Sequence, residues 1–171
     1  SAIGTANYNS LLAPIFEQQK MSIPEVIHLN GCVHDYYNPY KNTVVTCENT
    51  DELDQSQIYV PFILTQSGLK PLTSVTMSRR YVQLFDAYND SDAIVVVGFG
   101  FNKDDSHING LFRELIESYG KKLFVISRDV DGSAEQQQRD LRKKLRISNS
   151  YSKSVVVVPV NSNTRCIGEE L

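Results

Sequence analysis

The sequence is poor in the features by which many functions announce themselves. Its three cysteines, Cys32, Cys47 and Cys166, are odd in number and include no C-x-x-C spacing, which indicates neither a disulfide framework nor a zinc knuckle. A reducing cytoplasm is the setting expected for such thiols. Positive charge is not in excess: Lys and Arg number 17 against 20 Asp and Glu, so the clustered cations that grip phosphate backbones are missing and nucleic acid is not an expected partner. No apolar run approaches the roughly 20 residues needed to span a bilayer, and no charged segment followed by an apolar core opens the chain. G-x-S-x-G, H-E-x-x-H and a Walker loop are also absent, and with them the nucleophile elbow, the zincin site and the P-loop.

What is present is an ordinary globular composition, 41% hydrophobic and 22% charged over 171 residues, enough chain for one domain with a proper core. Apolar, β-branched runs lie at 25–29 (EVIHL), 58–64 (IYVPFIL), 93–99 (AIVVVGF), 123–126 (LFVI) and 155–160 (VVVVPV). Continuous apolarity of this length predicts strands buried on both faces of a parallel sheet, with Pro61 making its strand an edge, a strand start or irregular. Between them, 78–88 aligns Tyr81, Leu84, Phe85 and Tyr88 on one helical stripe, and 104–119 aligns Ile108, Leu111, Phe112, Leu115 and Ile116 before Gly120 as a stop. Ser133 and Gln136 form a capping-box pattern for a helix running to about Ile147. Its basic cluster at 139–146 interleaves Leu141 and Leu145 and reads as the wet side of an amphipathic helix.

Regular alternation of strand and helix predicts an α/β fold, a three-layer parallel sheet of Rossmann-like topology. The expected organisation is a single domain over 1–171, with 32–57 (CVHDYYNPYKNT through DELDQSQ) as an irregular excursion or small subdomain. A chain that opens on a strand-like SAIGT without an initiator Met is expected to be an excised portion, incomplete at its N-terminus, with further domains in the parent chain.

In open parallel sheets, ligands bind beyond the carboxyl ends of the strands. Four such ends carry polar or glycine residues: Thr5 to Asn9 (TANYN), His28 to Gly31 (HLNG), Gly98 to Asn102 (GFGFN) and Ser127 to Asp129 (SRD). Gly98 and Gly100 allow close backbone approach to a ligand at a helix start, or form a tight turn without one. Asp104 and Asp105 suit a helix N-terminus and would repel phosphate. His28 and Asn30, two apart, share one face of an extended strand and either face a pocket or comprise a carbonyl-bonded His followed by an Asn-Gly turn. His34 and Asp35 lack the second tight ligand pair a metal requires, and His107 is expected on the surface. Asn9 is the expected cap of the first helix, which Pro14 would shorten or kink beyond its first turn.

Taken in order, these strand ends resemble the sirtuin-like NAD-binding domain, in particular its bacterial, zinc-free branch. TANYNSLL at 5–12 is similar to the family's T-x-N-Y/I-D-x-L motif, VIHLNG at 26–31 to its strand ending in His-Gly, AIVVVGFGFNKD at 93–104 to its V-V-G-x-S/G-x-x-D segment, and LFVISR at 123–128 to its strand near the adenosine ribose. The resemblance spans nearly the whole chain and implies the C-terminal portion of such a domain. It implies NAD as cofactor, and NAD or ADP-ribose as the bound partner, held by Thr5, Asn7, Asn9, Gly98, Gly100, Phe101 and Ser127, with Asn7, His28 and Asn30 as the catalytic candidates. Two departures matter. Asn9 replaces the motif's Asp, and Asn30 stands where the family has its catalytic His; an imidazole is a general base near neutral pH and an amide is not. Only two cysteines fall in 32–57, so no structural zinc is expected. The implied activity is cleavage of the nicotinamide–ribose bond, as in defence-associated bacterial relatives. The alternatives are a degenerate NAD- or ADP-ribose-binding or regulatory module, and, less favoured, an NAD-dependent protein deacylase. A homo-oligomer is compatible with either.

Overall fold

The computed structural model describes residues 2–63, 74–128 and 133–160. Leu64, Asp129 and Cys166, each named above, lie outside them. The chain divides into two compact units, Ser1–Ala87 and Tyr88–Leu171.

In the first unit, β1 (Ala2–Thr5) pairs in parallel with β2 (Glu25–His28), in register from Ala2 opposite Glu25 to Thr5 opposite His28. The connection carries α1 (Leu12–Gln18), whose cap position is Leu11, without a side-chain bond. Asn9 therefore does not cap this helix; its Oδ1 accepts the Leu11 N–H at 3.4 Å in the turn before it. Pro14 falls within the first turn, where a missing N–H costs no helical hydrogen bond.

Residues 32–57 are more regular than their sequence suggests. β3 (Gly31–Asn38) and β4 (Thr43–Thr46) form an antiparallel hairpin, and a single 3-10 turn covers Thr50–Glu52. The buried Asn38 organises the bend, its Oδ1 accepting the N–H groups of Tyr40 and Lys41 at 3.0 Å each. β5 (Val60–Ile63) is an edge strand, as Pro61 allows, but it pairs antiparallel with β3 rather than entering a parallel core. Val60 and Ile63 stay exposed, so the continuous apolarity of this run does not reflect burial on two faces. α2 (Val75–Asn89) begins earlier than its stripe predicts because Ser74 Oγ accepts the Met77 N–H at 3.1 Å, an N-cap that precedes the apolar period.

The second unit runs β6 (Ala93–Val97), α3 (Ser106–Glu117), β7 (Lys122–Arg128), α4 (Ala134–Leu145) and β8 (Val155–Val160). Its three strands form a parallel sheet in the order β6-β7-β8, the α/β, Rossmann-like arrangement expected. Successive right-handed crossovers in this order put both helices on one face. On that face Ile94, Val96, Leu123, Val125, Val155 and Val157 are buried with Leu111, Leu115, Leu141 and Leu145, each contributing roughly 1.5–3 kcal/mol. Within this unit the sheet thus has two layers, helix and strand; Val95 and Val97 on its other face are exposed. Among the described residues the parallel strands form two separate ladders rather than one continuous sheet.

The helix boundaries follow local chemistry. α3 ends at a Schellman-type turn in which the Gly120 N–H reaches Ile116 O, the Lys121 N–H reaches Leu115 O and Gly120 adopts φ +68°. Ser133 Oγ accepts the Gln136 N–H at 3.3 Å, but the Gln136 side chain turns forward to Asp140, so only half of the capping box forms. α4 presents Leu141 and Leu145 inward, with Arg142, Lys143 and Lys144 in its last turn where the helix dipole favours cations. His107, expected on the surface, is half-buried with both ring nitrogens shielded from solvent.

Candidate functional site at the strand ends

The β1–β2 register places Thr5 opposite His28, so both strands end at one level. Thr5 is buried; its Oγ1 accepts the Asn7 N–H at 3.1 Å and its carbonyl accepts the Leu29 N–H at 2.9 Å. The chain turns at Ala6–Asn7 because these bonds hold it there. His28 Nδ1 lies 3.0 Å from the Asn7 carbonyl. A carbonyl only accepts, so Nδ1 carries the proton and Nε2 is left as an acceptor.

β2 stops at His28, and Asn30 sits in the following turn. The two-residue alternation therefore does not extend to Asn30. Instead His28 and Asn30 reach consecutive carbonyls, His28 that of Asn7 and Asn30 Nδ2 that of Ala6 at 3.4 Å. Asn30 is 3% exposed, and its Oδ1 is buried without a hydrogen-bond partner among the described residues. An orphan buried acceptor costs about 1–3 kcal/mol, and such groups are concentrated where a ligand or water completes the bonding. The Asn7 side chain is exposed beside this pair. Thr5, Asn7, His28 and Asn30 are thus brought together, while Asn9 stands apart on the exposed turn. Gly31 follows with φ +86°, and a Cβ there would meet the Phe62 carbonyl, so this glycine is required by backbone contact with β5.

In the second unit, the end of β6 carries Gly98 (φ +68°), where a Cβ would meet nothing within 4 Å. Gly98 follows Val97, the partner of Ile126, so it leaves β6 level with Ser127 on β7. Ser127 is half-buried. Phe101 is placed differently: at 4% exposure its ring packs against Phe99 and Phe112, with centroids 5.0 and 5.8 Å away, and it adopts φ +51° to do so. Its side chain belongs to the core of this unit. A 3-10 turn at Lys103–Asp105 separates the glycines from α3. The loop's charge partner comes from elsewhere: Lys144 Nζ donates to the Gly100 carbonyl at 3.3 Å. Lys144 lies in the cluster that sequence reading assigns to a solvated face, and only the crossover to α4 brings it to this loop.

A second group was not legible in sequence. The Asp35 carboxylate, fully shielded, is held by the Arg80 fork at 2.5 and 3.0 Å, by Thr46 Oγ1 at 2.5 Å and by the Cys32 N–H at 3.0 Å. Burial alone pushes Asp35 upward, but the Arg80 and Thr46 hydrogen bonds, the Arg80 charge and the Cys32 N–H outweigh it and leave the carboxyl below the usual range. Burial and then the nearby Glu52 charge push the Cys47 thiol up.

The class this defines is an α/β protein with polar clusters at the carboxyl ends of parallel strands. No family model matches the chain, and no curated protein does. Among solved structures, it is similar to a Sir2 homologue mutant in complex with ADP-ribose (14% identity, TM-score 0.47, covering 85% of this chain and 60% of that one). It is likewise similar to a Sir2 mutant with deacetylated p53 peptide and 3′-O-acetyl ADP-ribose (16%, TM-score 0.41, 74% and 50%), and to a structure described as the structural basis for sirtuin substrate affinity (14%, TM-score 0.43, 86% and 66%). The chain spans half to two thirds of the length of these structures. No described helix is long and apolar enough to cross a membrane.

Proposed function

We propose that this chain is an NAD-binding, sirtuin-like domain that hydrolyses the nicotinamide–ribose bond, giving nicotinamide, ADP-ribose and a proton from NAD and water. The ligand class comes from the motif resemblance. The observation that carries the chemistry is the His28–Asn7 hydrogen bond, which leaves Nε2 as an acceptor beside the Asn7 amide and the unpartnered Asn30 Oδ1. Asn7 holds the water or the ribose, His28 Nε2 accepts the proton released as water adds, and Asn30 Oδ1 accepts a ribose hydroxyl. The motif resemblance assigns the phosphates to Gly98 and Gly100 and the adenosine end to Ser127, all within the second unit, and within the first unit Thr5 fixes the Asn7 turn. Bond cleavage builds oxocarbenium character on the ribose, so a shaped pocket that controls water serves better than a strong nucleophile. The cytoplasm and a bacterial defence-type protein with further domains are the setting this reading carries.

The full-length protein is incubated with NAD and release of nicotinamide and ADP-ribose is followed. Turnover that falls on Asn7→Ala and on His28→Ala supports hydrolysis; absence of turnover sinks it. A second reading, a binding module without catalysis, is favoured by the buried amide of Asn30 in place of an imidazole. Calorimetric binding of NAD or ADP-ribose without turnover selects that module. Protein deacylation is the least favoured use of the site, and an acyl-lysine peptide assay is expected to be silent.

A further inference from the structure

A cavity of about 600 Å³ opens within the first unit beside the β3–β4 hairpin, bordered by His28, His34, Cys47, Glu48, Glu52 and Arg80. Its size is that of a small-molecule site. The charge on its wall has a definite sign. Arg80 is the sole cation of the lining, and its fork is already spent on the shielded Asp35 carboxylate, so that pair is neutral and offers nothing to a phosphate or carboxylate. Glu48 and Glu52 remain, exposed at the rim, and neither they nor the half-buried His34 side chain have a hydrogen-bond or ion-pair partner among the described residues. His28 contributes Nε2 as an acceptor. Deeper in, Cys47 is a buried residue, 8% exposed, and its thiol is likewise without a hydrogen-bond partner among the described residues.

The hairpin explains why these groups converge. Asp35 pairs with Thr46, and the Cys47 N–H donates to the His34 carbonyl at 3.0 Å, so His34 and Cys47 lie opposite one another and share one face of the ribbon. Among the described residues, no three His, Cys, Asp or Glu side chains approach closely enough to hold a metal ion. Acceptors spread around a cavity of this size suit an extended donor instead.

We propose that this cavity binds an organic cation, an alkyl-guanidinium or alkyl-ammonium group, with Glu48 and Glu52 taking the charge at the rim and His34, His28 Nε2 and the Cys47 thiol accepting or shaping deeper in. This site rests on the hairpin groups and not on the nucleotide reading, with which it overlaps at His28. Burial together with the Glu52 charge keeps the Cys47 thiol protonated, which spares the cavity a third negative charge and keeps its floor neutral.

The probe is agmatine, which carries a guanidinium and an ammonium on either end of a butyl chain, titrated into isotopically labelled protein and followed by amide chemical shifts. Saturable shifts confined to the hairpin and the Thr50–Glu52 turn are expected, with affinity falling about tenfold or more in Glu48→Gln/Glu52→Gln, since charge-assisted hydrogen bonds are roughly twice as strong as neutral ones. Both glutamates are exposed, so thermal melting of the double variant should match the parent; His34→Ala, expected to weaken binding with the rim charges intact, supplies a second reading. No saturable shift, undiminished binding by the double variant, or equal shifts from butyrate or inorganic phosphate would overturn the proposal. NAD is titrated into the same samples. In the unsubstituted protein, no agmatine response with NAD binding intact refutes this site and leaves the nucleotide reading standing; in the double variant, a weakened agmatine response with NAD binding intact supports it.

Discussion

Replacing Arg80 with methionine keeps much of the side chain's volume on α2 and removes the cation that neutralises Asp35. The Asp35 side chain is fully shielded and the Arg80 side chain is 20% exposed, so the variant strands a buried charge that retains only Thr46 Oγ1 and the Cys32 N–H. Breaking one side of a buried pair costs about 3–5 kcal/mol, and the partial access of water to this site argues for the lower figure. Urea denaturation followed by far-ultraviolet circular dichroism should therefore show a loss of about 3 kcal/mol. Asp35→Asn/Arg80→Met removes the stranded charge while keeping an acceptor for the Cys32 N–H, and should lose less than Arg80→Met alone. The pH dependence carries the sign. In the parent, Asp35 lies below its ordinary 3.8, so its stabilisation is present above that value and is lost as pH falls through the lowered folded pKa. In Arg80→Met, burial becomes the dominant influence and raises the folded pKa, so the deficit relative to the parent shrinks as pH is lowered towards 4. A variant within about 1 kcal/mol of the parent, or a deficit that grows on acidification, would refute the reasoning.

Gly31→Ala should be the most damaging glycine change, because φ is +86° and the new Cβ would lie 2.3 Å from the Phe62 carbonyl oxygen; a loss of about 2–4 kcal/mol by urea denaturation is expected. Gly98→Ala meets open space at φ +68°, so it should cost only about 1 kcal/mol of stability while weakening NAD binding in calorimetry by blocking close approach of the ligand. Asn30→Ala removes a buried acceptor that has no partner. It also loses the Nδ2 bond to the Ala6 carbonyl, so stability should fall by only about 1 kcal/mol while NAD affinity falls; a much larger loss of stability with unchanged affinity would make Asn30 a structural residue. Ser133→Ala should destabilise α4 by about 1 kcal/mol through loss of the cap, read as a lower urea midpoint.

The second unit was the more legible half. VVVVPV at 155–160 is β8 residue for residue, AIVVVGF contains β6, and Gly120 and Ser133 bound their helices as local chemistry dictates. These are short-range signals: a cap, a positive-φ stop and an apolar run need only their neighbours to be interpreted. The hairpin at 31–46 escaped because its bend is made by Asn38 side-chain bonds rather than by an Asn-Gly or Gly-rich turn. IYVPFIL is an edge strand as Pro61 predicts, but its antiparallel pairing departs from the parallel expectation because apolarity alone does not say which way a partner strand runs.

The candidate site divides in the same way. Thr5, Asn7, His28, Gly98 and Ser127 could be picked out because polar residues just after apolar runs lie at strand ends in any parallel arrangement. The sequence by itself therefore determined the α/β class, most element positions and the strand-end residues that carry the resemblance. Only the tertiary structure decided which of those residues act on one another. It stopped β2 at His28 and turned Asn30 back to Ala6, sank Phe101 into an aromatic core, brought Lys144 to Gly100 across 44 residues and Arg80 to Asp35 across 45. The physical reason is that a hydrogen bond or ion pair depends on atoms meeting within about 3 Å, and for residues so far apart in the chain that meeting is fixed by strand register and helix packing, not by local composition.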